Sequence, residues 1–453
     1  MTAAPDPSTL RRRAFRAGGW GFAGYGLSQA IRLGSNLVMT RLLAPEMFGV
    51  MAIATMAMVI LIMMSDLGLQ QNIVSSQRGD DPAFLDTAWV VQIIRGIVLA
   101  LISLLLSAAL YAAIVGGMVP ANTVYASSVL PLVIAAGSLS AVITGFQSTK
   151  VATAHRQFDQ KRLVQIDLIG QFSGLIVMIV IGVATRSIWA LVAGGLVASL
   201  VTTALGHAWL SGRRNRFRWE SSALRELIGF GKWAFVSSLF SVLAVSGDRL
   251  LLGGFVEADV LGRYAIAVLI LGAIEGALAR VFMVVSLPAL SEIARTEPSR
   301  LREIYYKLRV PGDLVLLFAA GLLFAAGQRV IDLLYDPRYS AAGGMLQLLA
   351  LSFIAARYSV AYQIYIAVGN PRYLAILNIV RCVSLFTLVP ALLFFAGTQA
   401  ALWGIALHGL AMVPFVFFFN GRLGLNDFRR ELMVLAALPA GFFFGYLINL
   451  LGK

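Results

Sequence analysis

The stretch Val245-Ser246-Gly247-Asp248-Arg249-Leu250-Leu251-Leu252 sets a carboxylate beside a guanidinium inside an apolar run from Phe235 to Phe255. A charge at the centre of a bilayer helix costs roughly 2.5–3.5 kcal/mol even on the lenient insertion scale. Such a pair needs partners or a wet cavity. Arg32, Arg95, Arg280, Arg357 and Arg381 also fall well inside apolar stretches. Guanidinium grips phosphate oxygens with two parallel hydrogen bonds and stays charged when partly desolvated. The arginine excess in mid-segment therefore predicts a cavity for an anion. Ion pairs that lock helices together, such as Glu275 with Arg280, are the other use of the same residue types.

Polar side chains accompany these charges. Ser28, Gln29, Arg32, Ser35 and Asn36 follow i, i+1, i+4, i+7, i+8, which is one face of a helix. Ser237, Ser241 and Asp248 share a face in the later run, with Arg249 about 100° round from Asp248. In this reading the arginines replace the hydration that an anion loses, and the serines and amides offer further hydrogen bonds in the cavity. Asp248 orients or neutralises Arg249 when the site is empty. Gln92 with Arg95 and Asn378 with Arg381 make i, i+3 polar pairs. Tyr358, Tyr362 and Tyr365 form an aromatic stripe that suits packing better than sugar stacking. His155 and His408 are isolated and Cys382 is the one cysteine, so neither a metal centre, a cofactor nor a disulfide is expected. Gly79-Asp80-Asp81-Pro82 reads as a helix start. No nucleophile elbow, phosphate loop or zinc-protease helix occurs, so no enzymatic chemistry is expected.

The elements that must position these residues are helices in lipid. Hydrophobic residues make up 59% of the 453-residue chain and charged ones 13%, at a mean hydropathy of +0.83. Soluble domains carry about 25% charge. Apolar segments long enough to cross a bilayer recur throughout, at roughly 19–41, 47–69, 88–115, 124–147, 163–184, 188–210, 231–255, 260–288, 311–335, 342–368, 373–396, 400–420 and 432–451. Two thirds of the 36 Lys and Arg lie on the side that holds the N-terminus, among them Arg11, Arg78, Lys150, Arg213 and Arg300. The opposite side has only Arg41, Arg186, Arg263, Arg338 and Lys453. Positive loops stay cytoplasmic, so the N-terminus is expected inside. The net charge of +14 then reports topology and contact with anionic membrane lipid, not nucleic acid.

The chain also resembles itself. Gly18-Gly19-Trp20 falls on Gly231-Lys232-Trp233, an offset of 213 residues. At the same offset Phe48-Gly49-Val50-Met51-Ala52-Ile53-Ala54 falls on Leu261-Gly262-Arg263-Tyr264-Ala265-Ile266-Ala267. Ser35 falls on Asp248 and Asn36 on Arg249. An even number of spans per half gives parallel repeats, related by an axis along the membrane normal. The expected fold is all-α and polytopic, with two pseudo-symmetric six-helix lobes around a central cavity. The expected boundaries are a lobe over 1–211, a cytoplasmic linker over 212–230, a second lobe over 231–421 and an extra hydrophobic segment over 422–453.

Three short elements carry a resemblance to a known family. Thr40-Arg41-Leu42-Leu43-Ala44-Pro45-Glu46-Met47-Phe48-Gly49-Val50 resembles the "RLL-x-P-x-x-F-G" element of bacterial oligosaccharide flippases. Ser65-Asp66-Leu67-Gly68-Leu69 resembles their "D-L-G-L", and Asp248-Arg249-Leu250-Leu251-Leu252-Gly253 their "D-R-x-x-[IL]-G". These belong to the polysaccharide-transporter branch, including Wzx-type proteins, of the multidrug/oligosaccharidyl-lipid/polysaccharide exporter superfamily. The resemblance implies a cationic cavity between lobes and alternating access. It implies passage of undecaprenyl-pyrophosphate-linked glycan from the cytoplasmic to the periplasmic leaflet of a bacterial inner membrane. It further implies coupling to an H⁺ or Na⁺ gradient and work beside polysaccharide polymerase and assembly proteins. The site residues would be Arg32, Arg249, Asp248, Asn36, Ser35, Gln29, Arg95, Arg280, Arg357 and Arg381. A drug/cation antiporter, a non-transporting scaffold and a membrane glycosyltransferase remain the alternatives. The antiporter would favour acids as cavity charges, and the glycosyltransferase would need an extramembrane loop larger than any here.

Overall fold

The computed structural model describes residues 7–65 and 68–451. The side chains of residues 7–17, 64, 75, 228–241, 244–245, 283–285, 288 and 359–361 lie outside that description. So do the motif residue Asp66 and the face residues Ser237 and Ser241. The described chain is helical with no strand. The helices are α1 (Pro7–Leu42), α2 (Pro45–Met64), α3 (Leu69–Ser75), α4 (Pro82–Val115), α5 (Val129–Gly145) and α6 (Lys150–Arg156). They continue with α7 (Gln160–Thr185), α8 (Trp189–Ala208), α9 (Ser221–Gly253), α10 (Ala258–Thr296), α11 (Leu301–Leu334) and α12 (Ala342–Ala350). The last six are α13 (Phe353–Ala356), α14 (Ser359–Ala367), α15 (Pro371–Leu407), α16 (Val413–Arg422), α17 (Phe428–Leu435) and α18 (Ala437–Leu451).

Over its described residues every apolar segment read from the sequence is mainly helical, but not every one is a single straight span. Segment 342–368 breaks into α12, α13 and α14. Segments 373–396 and 400–420 lie on either side of a kink in the stretch Pro371–Arg422, where Gly397 takes φ 77° and non-helical backbone. Glycine meets no steric penalty in that left-handed conformation. Among the described residues eight helices are long and apolar enough to cross a membrane, or nine if α5 and α6, bent by 62°, count as one. The protein is therefore a multi-pass membrane protein. Asp81 caps α4, its carboxylate accepting from the Ala83 N–H at 3.0 Å, with Pro82 at the first helical position.

The packing divides the chain into two units, and neither follows the sequence halves strictly. The first holds residues 1–43 and 50–239, the second 44–49 and 240–453. The first unit thus includes the linker and the start of α9, where Ala223 and Leu227 sit in a buried cluster with Leu69, Ile73, Phe84 and Ala88. Its linker is stapled down by polar bonds. The Arg216 N–H donates to Asp86 at 2.9 Å, the Glu220 N–H to Thr87 at 3.0 Å, and Asn215 Nδ2 to Thr149 at 2.6 Å.

The second unit includes the start of α2. A Cβ on Gly49 would come within 1.9 Å of the Ala258 carbonyl, and one on Gly262 within 1.8 Å of the Pro45 carbonyl. Gly49 and Gly262 are the repeat-related glycines. They meet each other, and only hydrogen at both positions allows the two helix starts to touch. The extra C-terminal segment belongs here too. α18 runs backbone to backbone along α11, since a Cβ on Gly441 would lie 2.0 Å from the Phe318 carbonyl.

Candidate functional site

A cavity of about 250 Å³ lies inside the second unit. Asp248 and Arg249 reach it from α9, Tyr264 and Glu275 from α10, Tyr362 from α14 and Arg381 from α15. His408, just past α15, completes the wall. Gly247 lets α9 approach α15 here, because a Cβ would come within 2.7 Å of the Phe386 ring. Asp248 is buried, and its Oδ2 accepts from the Tyr264 hydroxyl. His408 Nδ1 stands 2.7 Å from the Ile405 carbonyl, which can only accept. The neutral ring therefore carries its proton on Nδ1, and Nε2 is an acceptor.

Three buried polar atoms of this wall have no hydrogen-bond partner among the described residues: Asp248 Oδ1, His408 Nε2 and Arg381 Nε. Buried polar groups are almost always satisfied, by protein, water or ligand. Two acceptors and a donor facing one cavity make a site for a polar guest. The charges balance, two carboxylates against two guanidiniums. Of the residues expected from the sequence, the fold brings Asp248, Arg249 and Arg381 together in this wall.

The others go elsewhere. Arg357 is buried in an ion quartet with Arg309, Asp313 and Glu431. Arg309 is fully buried and grips Glu431 at 2.6 and 3.1 Å and Asp313 at 3.0 Å. Arg357 reaches Glu431 at 3.2 Å and Asp313 at 3.6 Å. Tyr358 lies under both guanidiniums, each 4.5 Å from its ring centre. Arg95 closes the C-terminus of α2, donating to the Ile62 carbonyl at 2.7 Å and to Ser65 Oγ at 2.9 Å. Gln92 closes α5 in the same way, donating to the carbonyls of Thr144, Gly145 and Gln147. These two cap helix ends whose carbonyls lack partners. Arg280 is half-buried on α10 with Nε unpartnered.

On α1, Arg32 is exposed, Ser28 donates to Gln171 of α7 at 2.8 Å, and Gln29 donates to the Tyr25 hydroxyl at 2.7 Å. Ser35 turns back to the Arg32 carbonyl at 2.9 Å, and Asn36 is half-buried. Tyr358 and Tyr365 are core residues, Tyr365 donating to Asn420 at 3.0 Å. Sequence reasoning named His408 only as an isolated histidine and Tyr264 only within the repeat, and assigned neither to the site, because their partners lie on other helices. Tyr264 had one signal, its place in the repeated segment beside Gly262.

Residues 38–343 match the sequence profile of the polysaccharide biosynthesis protein family. No curated protein matches the chain. Among solved structures it is similar to the lipid II flippase MurJ in an inward closed conformation, at 11% identity, 95% of this chain, 93% of that one and a TM-score of 0.71. It is similar to an inward-facing multidrug resistance MATE family transporter of the MOP superfamily, at 13% identity, 89% and 94% coverage and a TM-score of 0.65. A MOP superfamily transporter from Pyrococcus furiosus Vc1 aligns at 15% identity, 91% and 95% coverage and a TM-score of 0.55. At such identities the structural likeness establishes the fold, and the sequence profile, spanning more than half the chain, establishes the family. The chain belongs to the polysaccharide biosynthesis protein family, and its fold is the one seen in these transporters.

Proposed function

We propose that the protein is a flippase that moves undecaprenyl-pyrophosphate-linked oligosaccharide from the cytoplasmic to the periplasmic leaflet by alternating access. Its product feeds surface polysaccharide assembly, and it acts as a transporter, not as an enzyme. The observation that carries the reading is a polysaccharide-family chain in which Arg249 and Arg381 wall a cavity with unpartnered polar atoms. Guanidinium replaces hydration lost by pyrophosphate, and Asp248 holds the empty site neutral. The basic loops put the N-terminus in the cytoplasm of a bacterium's inner membrane and draw anionic lipid. An H⁺ or Na⁺ gradient drives the cycle, and a polymerase and assembly proteins consume the product.

The test is transfer of fluorescent lipid-linked oligosaccharide across proteoliposomes. Wild type translocates it, and R249A and R381A insert normally but fail. Normal transport by both variants rejects this site. A second reading is favoured by one feature. Asp248 and Glu275 give the cavity as many acids as arginines, and Asp248 Oδ1 is unpartnered, which suits an organic cation. Drug resistance on overexpression, without lipid-linked sugar transport, would select that antiporter reading.

A further inference from the structure

The second unit holds another polar cavity, of about 680 Å³, at the end of α11 away from its basic N-terminal turns. It is framed by Gln328, Arg329 and Asp332 of α11, Gln347 of α12, and Tyr446 and Asn449 of α18. The apolar stretch of α11, Leu314–Ala326, stops just short of it. The loop carrying Asp336 and Arg338 begins just beyond. That is the depth at which hydrocarbon gives way to headgroups. Leu333, Tyr446 and Leu450 form an exposed apolar rim. From there the exposed Phe443 and Phe444 of α18 lead back along its lipid-level surface.

The walls are held by bonds of their own. Arg329 Nη1 donates to the Asn449 carbonyl at 3.2 Å, and Asn449 Nδ2 to the Ala325 carbonyl at 2.8 Å. Gln347 Nε2 donates to the same Ala325 carbonyl at 3.3 Å. Gln328 Nε2 and Ser340 Oγ both donate to Asp332 Oδ1, at 3.0 and 2.8 Å. A cation and an anion are thus fixed one helical turn apart, i to i+3, among amides. A carboxylate offers about four lone-pair sites, so Asp332 can take a further donor.

We propose that this cavity binds the headgroup of a zwitterionic phospholipid carrying a phosphate and a primary ammonium, as in phosphatidylethanolamine. Arg329 meets the phosphate and Asp332 the ammonium, and the acyl chains follow the apolar face of α18. The ammonium must be primary: its N–H groups can donate to Asp332, whereas a choline headgroup has none to give. An anionic glycerol headgroup satisfies Arg329 and leaves Asp332 without a cation. The site is separate from the cavity of Asp248 and does not depend on which cargo that cavity carries.

The test is thermal unfolding of the full chain in detergent. It is titrated with phosphatidylethanolamine, phosphatidylcholine or phosphatidylglycerol of identical acyl chains, with native mass spectrometry of retained lipid. The ethanolamine lipid is expected to stabilise most and to be retained preferentially. D332N, at an exposed position, should keep its fold and lose the ethanolamine preference, its apparent affinity falling roughly tenfold, as for one charged hydrogen bond. R329Q should weaken the response to all three lipids. Because Arg329 also holds α18, D332N carries the decision. Equal responses to the three headgroups in wild type overturn the proposal. So does a D332N variant that still prefers ethanolamine.

Discussion

Replacing Glu431 with Gln keeps the side chain's shape and removes one of the two carboxylates that serve Arg309 and Arg357. In the native quartet two cations face two anions, and Arg309 has no exposed surface at all. In E431Q both guanidiniums must share Asp313, at 3.0 and 3.6 Å. Breaking a buried pair by removing one partner costs about 3–5 kcal/mol. The Gln carbonyl can still accept one bond, so the loss should sit near the lower end, about 3 kcal/mol. For a unit of this size that is a fall of about 6–12 °C in Tm. The assay is intrinsic-fluorescence unfolding of the full chain in detergent. The double variant R357M/E431Q leaves Arg309 with Asp313 and no surplus charge, so it should recover at least half the loss. A loss below about 1 kcal/mol in E431Q, or a double variant whose loss is the sum of the singles, would refute the claim that this quartet is electrically closed.

Four further outcomes are expected. G262A should cost about 1–3 kcal/mol by forcing α10 off the Pro45 carbonyl, whereas G272A, whose Cβ meets nothing within 4 Å, should be neutral; comparative thermal unfolding reads both. G441L should part α18 from α11, and protease cleavage after Arg429 or Arg430 should appear at concentrations that leave wild type intact. R95L should lower Tm and quicken hydrogen exchange at the end of α2, while R95K retains part of the cap.

The fourth outcome concerns pH. Asp81, held by Arg78 and the Ala83 N–H, and Glu220, held by the Ser222 hydroxyl and Arg78, both titrate below the usual carboxylate range. A depressed folded-state pKa adds stability above the unfolded value and loses it as pH falls through the folded one. Protection of the amides at the start of α9, taken relative to their intrinsic exchange rates at each pH, should therefore be flat from pH 8 to 5 and fall only below about pH 4.

Composition and periodicity were enough to read an all-helical membrane chain, and the helix start at Asp81-Pro82 was legible from two residues. The motif Asp248-Arg249 pointed to a cavity wall, because a carboxylate and a guanidinium amid leucines have few other uses. Arg357 and Arg95 were not separable from it by sequence. A buried arginine looks the same in the chain whether it meets a ligand, a carboxylate 74 residues away such as Glu431, or the last carbonyls of a neighbouring helix. The parting of segments 373–396 and 400–420 at Gly397 was legible, whereas the breaks inside segment 342–368 were not. Hydropathy counts residues, but Gly397 and the turns at Leu351 and Arg357 set where the axis bends. The meeting of Gly49 with Gly262 was half visible. The repeat matched them to each other, and only the fold put them in contact.

The exchange of residues 44–49 and 221–227 between the two packing units has a consequence for biogenesis. The first half leaves the ribosome with the start of α2 lacking its seat, because Ala258 and Gly262 are still unmade. Severing the gene at the linker would yield two incomplete fragments that must find each other in the bilayer, so translation order itself becomes part of assembly.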